Sequence, residues 1–206
     1  FGDFAPEIPA AYRRAPFLFL GNIDPDIQHS VLDQMERPKW IGCDTMNFWI
    51  HGKRESLDRL LPRIDALFIN DSEAFELSGS RNMVKAAKAI AEMGPSTLVI
   101  KKGEYGATVF GADGRIFSVG AFPLEDVLDP TGAGDSFAGG FLASIASSDD
   151  LNFDSLKRAA AAGTITASFC VEKFGPEHLA DLTRDNVLRR LEEFRRVTDL
   201  PEGESI

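Results

Sequence analysis

Four short apolar runs recur along the first half of the chain: Phe17-Leu18-Phe19-Leu20, Trp40-Ile41-Gly42-Cys43, Ala66-Leu67-Phe68-Ile69 and Thr97-Leu98-Val99-Ile100. Each is continuous rather than alternating, the pattern of a strand buried on both faces, which is the usual state of strands in parallel sheets. Stretches with helical spacing lie between them. Asp24-Pro25 supplies a capping acid and a first-turn proline ahead of Ile27, Val31, Leu32 and Met35, while Leu57, Leu60 and Leu61 mark a short amphipathic segment. Arg81 to Met93 carries Val84, Ala87, Ile90 and Ala91 on one side until Gly94-Pro95 stops it. Parallel strands need crossovers that pack back onto the sheet. The expected fold class is therefore α/β, a mainly parallel sheet with helices on both faces in three layers, α/β/α, forming a single domain over residues 1–206.

The second half reads differently. Thr108-Val109-Phe110 and Ile116-Phe117-Ser118-Val119, joined through Gly111-Ala112-Asp113-Gly114, form a β-hairpin pattern. Phe137, Phe141, Leu142 and Ile145 give one helix its apolar face, and a second runs from about Asp154 to Glu172. Ala159, Ala160, Ala161, Ala162 and Gly163 on that second helix permit close approach of a neighbouring helix. Thr183 caps a last amphipathic helix with Val187, Leu188, Leu191 and Phe194, and Pro201 to Ile206 reads as a frayed tail. The opening Phe1-Gly2-Asp3-Phe4, without an initiator methionine, reads as the interior of a longer chain.

Composition narrows the partners. With 22 basic and 32 acidic side chains the net charge is −10, so the surface as a whole repels nucleic acid and anionic membrane, and any phosphate site must be local. Cys43 and Cys170 are far apart in apolar runs, which excludes a disulfide framework or a paired-cysteine metal site. No apolar run reaches the roughly 18 residues of a membrane span, and no signal segment is visible, so the chain is expected to be cytoplasmic.

Polar residues gather where the strands end: Asp44-Thr45-Met46-Asn47, Asn70-Asp71-Ser72-Glu73, and the glycine-bearing turn from Lys101 through Gly103 to Gly106. Ligands of open α/β sheets bind at such carboxyl ends. Later comes Asp129-Pro130-Thr131-Gly132-Ala133-Gly134-Asp135-Ser136-Phe137, a glycine turn leading into a helix, with an acid at the helix start. Unpaired N–H groups at the positive end of a helix dipole favour a bound anion, and Asp135 there is either a cap or a base aimed beside the anion. Gly52-Lys53-Arg54 lacks the upstream glycine and the hydroxyl residue of a P-loop. Phe137 stands where a dinucleotide fingerprint needs glycine. Gly134-Asp135-Ser136 resembles an esterase box, but none of His29, His51 and His178 stands at a recognisable catalytic spacing from an Asp. Phosphoryl transfer fits better, since it asks mainly for positioning and charge stabilisation.

The run Asp129-x-Thr131-Gly132-Ala133-Gly134-Asp135-Ser136-Phe137-x-Gly139-Gly140-Phe141 resembles the C-terminal signature of the ribokinase-like, or PfkB, carbohydrate kinase family. Asn70-x-x-Glu73 and the Lys101–Gly106 turn resemble two further family motifs, in the family's order. The resemblance implies a sugar kinase using ATP and Mg²⁺, with a nucleoside kinase of the same fold or a non-catalytic ATP-binding regulator as alternatives. It implies that Asp135 is the catalytic base and that the N–H groups of Gly132, Ala133 and Gly134 form an anion hole. Asn70 and Glu73 are implied to hold Mg²⁺ and phosphates through water, with an ordinary helix-start cap as the alternative reading, and Lys101, Gly103, Gly106 and Thr164 are implied at the nucleotide. Asp129 and Thr131 match positions that bind a monovalent cation such as K⁺ in some members, and Asp44 and Asn47 are expected to face the acceptor. Phe48 and Trp49 are expected in the core, with a place facing a sugar or a base as the alternative reading. Pro130 replaces a frequent threonine, and Lys101 stands where a small hydroxyl residue is common, with a solvated surface lysine as the alternative reading. The family's N-terminal substrate and lid portion has no counterpart here; homodimerisation through that lid is an arrangement the resemblance allows.

Overall fold

The structure is a computed structural model and describes residues 4–175 and 177–198, so the expected tail from Pro201 lies outside the described residues. Six strands form one sheet in sequence order: β1 (Phe17–Leu20), β2 (Trp40–Asp44), β3 (Ala66–Asn70), β4 (Thr97–Lys101), β5 (Ala107–Phe110) and β6 (Ile116–Val119). The first four run parallel and β5 returns antiparallel to β4, which gives the mainly parallel sheet expected from the continuous apolar runs. The chain divides into two compact units, one of residues 1–103 with 107–118 and one of 104–106 with 119–206.

In the first unit the crossovers are α1 (Pro25–Gln34), α2 (Asn47–Gly52) with α3 (Arg54–Leu60), and α4 (Asp71–Ser78) with α5 (Met83–Glu92). Asp24 caps α1 by accepting the Asp26 N–H at 3.0 Å, with Pro25 in the first turn. Leu20, Cys43, Leu67, Ile69, Leu98 and Ile100 from the strands form one core with Leu32, Leu57, Leu60, Leu77 and Ile90 from the helices. Burial pushes the Cys43 thiol well above its ordinary range, so it is an inert core residue. Side chains of successive strand residues alternate between faces. On the other face Phe68 meets Phe19 and Trp40 edge-on, at centroid distances of 5.4 and 6.4 Å. Gly42 is required there, because a Cβ would lie 2.8 Å from the Trp40 ring.

The second unit holds α6 (Ala133–Ser148), α7 (Phe153–Cys170), α8 (Glu177–Ala180) and α9 (Arg184–Thr198). The alanine-rich segment expected to allow close packing does so. A Cβ on Gly163 would sit 2.6 Å from the Phe137 carbonyl oxygen of α6, and one on Gly140 would overlap the Thr166 hydroxyl of α7. Gly163→Ala therefore forces the helices apart and is expected to cost about 2 kcal/mol, the usual size of an overpacking penalty, read as a lower urea midpoint. Helix α9 is held less by its apolar stripe than the sequence suggests. Phe194 is buried but Leu188 is 49% exposed, and the anchor is Arg190, paired in fork geometry with Glu172 at 2.9 and 3.0 Å and stacked 3.5 Å over the Phe169 ring.

Candidate functional site

In the first unit the ends of β2, β3 and β4 place four of the expected site residues together. Asp44 is paired in register with Phe68, Phe68 with Val99, and Lys101 lies two residues beyond Val99, so Asp44 and Lys101 project from the same face on either side of β3. Their side chains meet: Lys101 Nζ donates to Asp44 Oδ2 at 2.6 Å, with the lysine side chain 18% exposed and the aspartate 5%. The solvated surface lysine is thus excluded, and Asp44 is engaged by an ammonium.

At the end of β3, Asn70 and Glu73 form a reciprocal capping box at the start of α4. Asn70 Oδ1 accepts the Glu73 N–H at 2.8 Å, and Glu73 Oε2 accepts the Asn70 N–H at 2.7 Å. The cap uses one oxygen of each side chain, leaving Asn70 Nδ2 and Glu73 Oε1 for water or a water-bound ligand. Burial pushes the Glu73 carboxyl above its ordinary range, opposed by the Asn70 N–H and by the Lys101 ammonium. Because the folded state favours the protonated acid, ionisation weakens the fold as pH rises through the carboxylate range. Glu73→Gln keeps a capping oxygen and avoids that cost. Its melting temperature is expected to gain on wild type by ~2 °C between about pH 4 and about pH 7, as calorimetry at both pH values would show.

Asn47 is the first residue of α2, a helix the sequence reading did not separate from the polar strand end. Its Oδ1 is buried without a partner among the described residues, as are Thr45 Oγ1 and Gln28 Oε1. Gln28 ties the two strand ends together, donating to the Gly21 carbonyl at 2.8 Å and the Asp44 carbonyl at 3.2 Å. It carries no motif and would not be found from spacing. Phe48, expected in the core, is instead 64% exposed, while Trp49 meets it edge-on at 4.8 Å and donates to Asn22 Oδ1 at 2.9 Å. The correction has a local cause: a six-residue helix starting at Asn47 buries only Ile50. Gly103, with φ of 55°, starts a short 3₁₀ turn with open space where its Cβ would be.

The second unit carries the glycine turn. Gly132 has φ of 80°, the left-handed conformation that glycine adopts without penalty, and is the N-cap of α6. Cys170 Sγ approaches the Thr131 carbonyl at 3.5 Å. The Ala133 N–H is directed to the Pro130 carbonyl at 3.2 Å, whereas those of Gly132 and Gly134 have no acceptor among the described residues. Asp135 is exposed in the first turn of α6, so this helix start presents N–H groups with a carboxylate beside them. Asp129 Oδ1 accepts the Thr131 N–H at 2.9 Å, and bonding to Thr131, chiefly to its side chain, holds the Asp129 carboxyl below its ordinary range. Thr164, 6% exposed on α7, has a buried Oγ1 with no partner among the described residues. Gly106 has φ of 89° and is packed against the backbone of Gly120. Among the described residues no group of three or more His, Cys, Asp or Glu side chains could hold a metal ion as a protein cage. No helix among the described residues is long and apolar enough to cross a membrane.

Polar strand ends in the first unit and a glycine-capped helix start in the second are each features that can bind an anion or a polar ligand. Comparison with known proteins makes this specific. The pfkB family carbohydrate kinase profile matches residues 41–181, and the chain belongs to that family. A cytidine kinase from Thermococcus kodakarensis is 32% identical over 139 residues, covering 66% of this chain and 50% of that protein. Aminoimidazole riboside kinase from Salmonella enterica, solved with aminoimidazole riboside and an ATP analogue, superposes with a TM-score of 0.72 at 22% identity, covering 87% of this chain and 63% of that one. A fructokinase double mutant from Vibrio cholerae, solved with fructose, ADP and potassium, gives a TM-score of 0.74 at 18% identity, covering 91% and 62%. These structural matches carry the fold, the three-layer ribokinase-like α/β architecture. The chain spans about half the length of the curated relatives it matches.

Proposed function

We propose that this chain is the nucleotide-binding and catalytic part of an ATP-dependent kinase that phosphorylates a hydroxyl of a sugar or sugar-like alcohol. The observation that carries the reading is the start of α6: Gly132 at positive φ, uncommitted N–H groups at Gly132 and Gly134, and an exposed carboxylate at Asp135. In this reading those N–H groups stabilise charge on the migrating phosphoryl group, the Ala133 N–H expected beside them is held by the Pro130 carbonyl instead, and Asp135 takes the acceptor proton. A carboxylate is too weak a base to ionise an alcohol in advance, so the proton moves late, as the O–P bond forms. Asn70 and Glu73 would hold Mg²⁺ through water, and the ion would supply charge neutralisation at the phosphates. Lys101, Gly103, Gly106 and Thr164 serve the nucleotide; the unpartnered Thr164 hydroxyl is the observation here that fits a bound base or ribose. Asp129 and Thr131 are assigned to a monovalent cation. A homodimer through the family's lid and a cytoplasmic location belong to the same reading.

A nucleoside as acceptor is favoured by one observation, the exposed Phe48 beside Trp49 next to Asn47, a surface on which a flat base can stack. The relatives named cytidine kinase and aminoimidazole riboside kinase support it. The test is MgATP binding by calorimetry, then ADP release across a panel of sugars and nucleosides. Binding with turnover on a sugar or nucleoside supports the proposal. Absence of MgATP binding would sink it, and binding without turnover on any acceptor would leave the non-catalytic ATP-binding reading in its place.

A further inference from the structure

The Lys101 ammonium bonds Asp44 directly at 2.6 Å and acts electrostatically on Glu73. Its backbone is in register with Asn70, so Lys101 stands at the carboxyl end of β4 beside a helix start that the Asn70–Glu73 cap already closes. An ammonium has three donors, and Asp44 takes one of them. A cation at a strand's carboxyl end, with donors beyond the one its carboxylate partner takes, can pass from that carboxylate to an incoming anion. Resting on the kinase reading, we infer that Lys101 receives the nucleotide's terminal phosphates and that Asp44 is its resting counter-ion instead of a ligand of the acceptor. Asp44 then acts through Lys101. It neutralises the ammonium when no phosphate is present and competes with phosphate when one arrives, which lowers nucleotide affinity and speeds release of the spent nucleotide.

The competition has a definite sign. Asp44→Asn keeps an oxygen that can accept from Lys101 but removes a negative charge beside the phosphate position, so MgATP affinity should rise by about threefold. Lys101→Met alone would strand a buried carboxylate and endanger the fold. The informative comparison is therefore Asp44→Asn against Asp44→Asn with Lys101→Met, which differ in the ammonium while neither leaves an unpaired charge at position 44. The double variant should bind MgATP about tenfold more weakly than Asp44→Asn, with thermal melts confirming that both are folded. Equal MgATP affinity in the two variants would overturn the role of Lys101. An unchanged or weakened affinity in Asp44→Asn would overturn the counter-ion role. If the wild-type chain binds no MgATP, the kinase reading itself fails before any variant is made.

Discussion

Asp135→Asn should lower the rate of ADP release with a competent acceptor by about 10²–10⁴-fold, the contribution typical of a positioned general base, while MgATP affinity stays within about twofold. Both halves of the expectation come from the local geometry. Asp135 is exposed in the first turn of α6 and makes no hydrogen bond to the described residues, so asparagine disturbs no packing and costs the helix start only a few tenths of a kcal/mol of dipole interaction. The glycine turn before it is fixed by Gly132 and not by the acid, so the N–H groups keep their orientation. Asparagine retains a polar oxygen but cannot accept the proton. Single-turnover kinetics with saturating nucleotide separate the chemical step from binding and release. A variant that turned over as fast as wild type would place the base elsewhere, and one that lost MgATP binding would make Asp135 part of the nucleotide site instead.

Much of the architecture could be read from residue patterning because the relevant physics is local. The four continuous apolar runs became β1 to β4, Asp24-Pro25 started α1, and Asn70-x-x-Glu73 became a reciprocal cap. Gly132 adopts the positive φ that its place in the turn requires. What could not be read were contacts set by register. Asp44 and Lys101 are 57 residues apart and meet because β2, β3 and β4 stack their ends, a fact fixed by pairing across strands. The family resemblance therefore put one at the acceptor and the other at the nucleotide, and the structure shows them hydrogen-bonded to each other. Phe48 was misplaced for the converse reason. Its composition suits a core, but α2 is too short to bury more than one side, and Ile50 takes that side. Gln28 shows the same limit: on the amphipathic pattern of α1 it is an ordinary polar residue, yet it is 1% exposed and cross-ties two strand ends.

Gly106→Ala is expected to be the most damaging single methyl group added anywhere in the Lys101–Gly106 turn, and Gly103→Ala is its control. Both glycines have positive φ, 89° and 55°. Gly103 lies within the left-handed region that alanine enters for roughly 1 kcal/mol, and its Cβ would meet open space. Gly106 is outside that narrow region, and its Cβ would fall on the Val119 carbonyl oxygen and 2.5 Å from the Gly120 carbonyl carbon. Backbone atoms cannot swing aside as a flexible side chain does, so either the turn or the chain at the end of β6 must shift. A cost of about 4 kcal/mol or more follows, a large share of the stability of a typical domain. Urea denaturation should therefore show Gly106→Ala largely unfolded or far less stable, with Gly103→Ala close to wild type. The two differ again in binding. If Gly103 lines the nucleotide, its added methyl enters the open space that the phosphates or ribose would occupy, and a well-folded Gly103→Ala protein should bind MgATP several-fold more weakly. Loss of affinity with retained stability at Gly103, and loss of stability at Gly106, would separate the glycine kept open for a ligand from the one kept small by the backbone. Equal destabilisation of both variants would show that the turn is structural throughout.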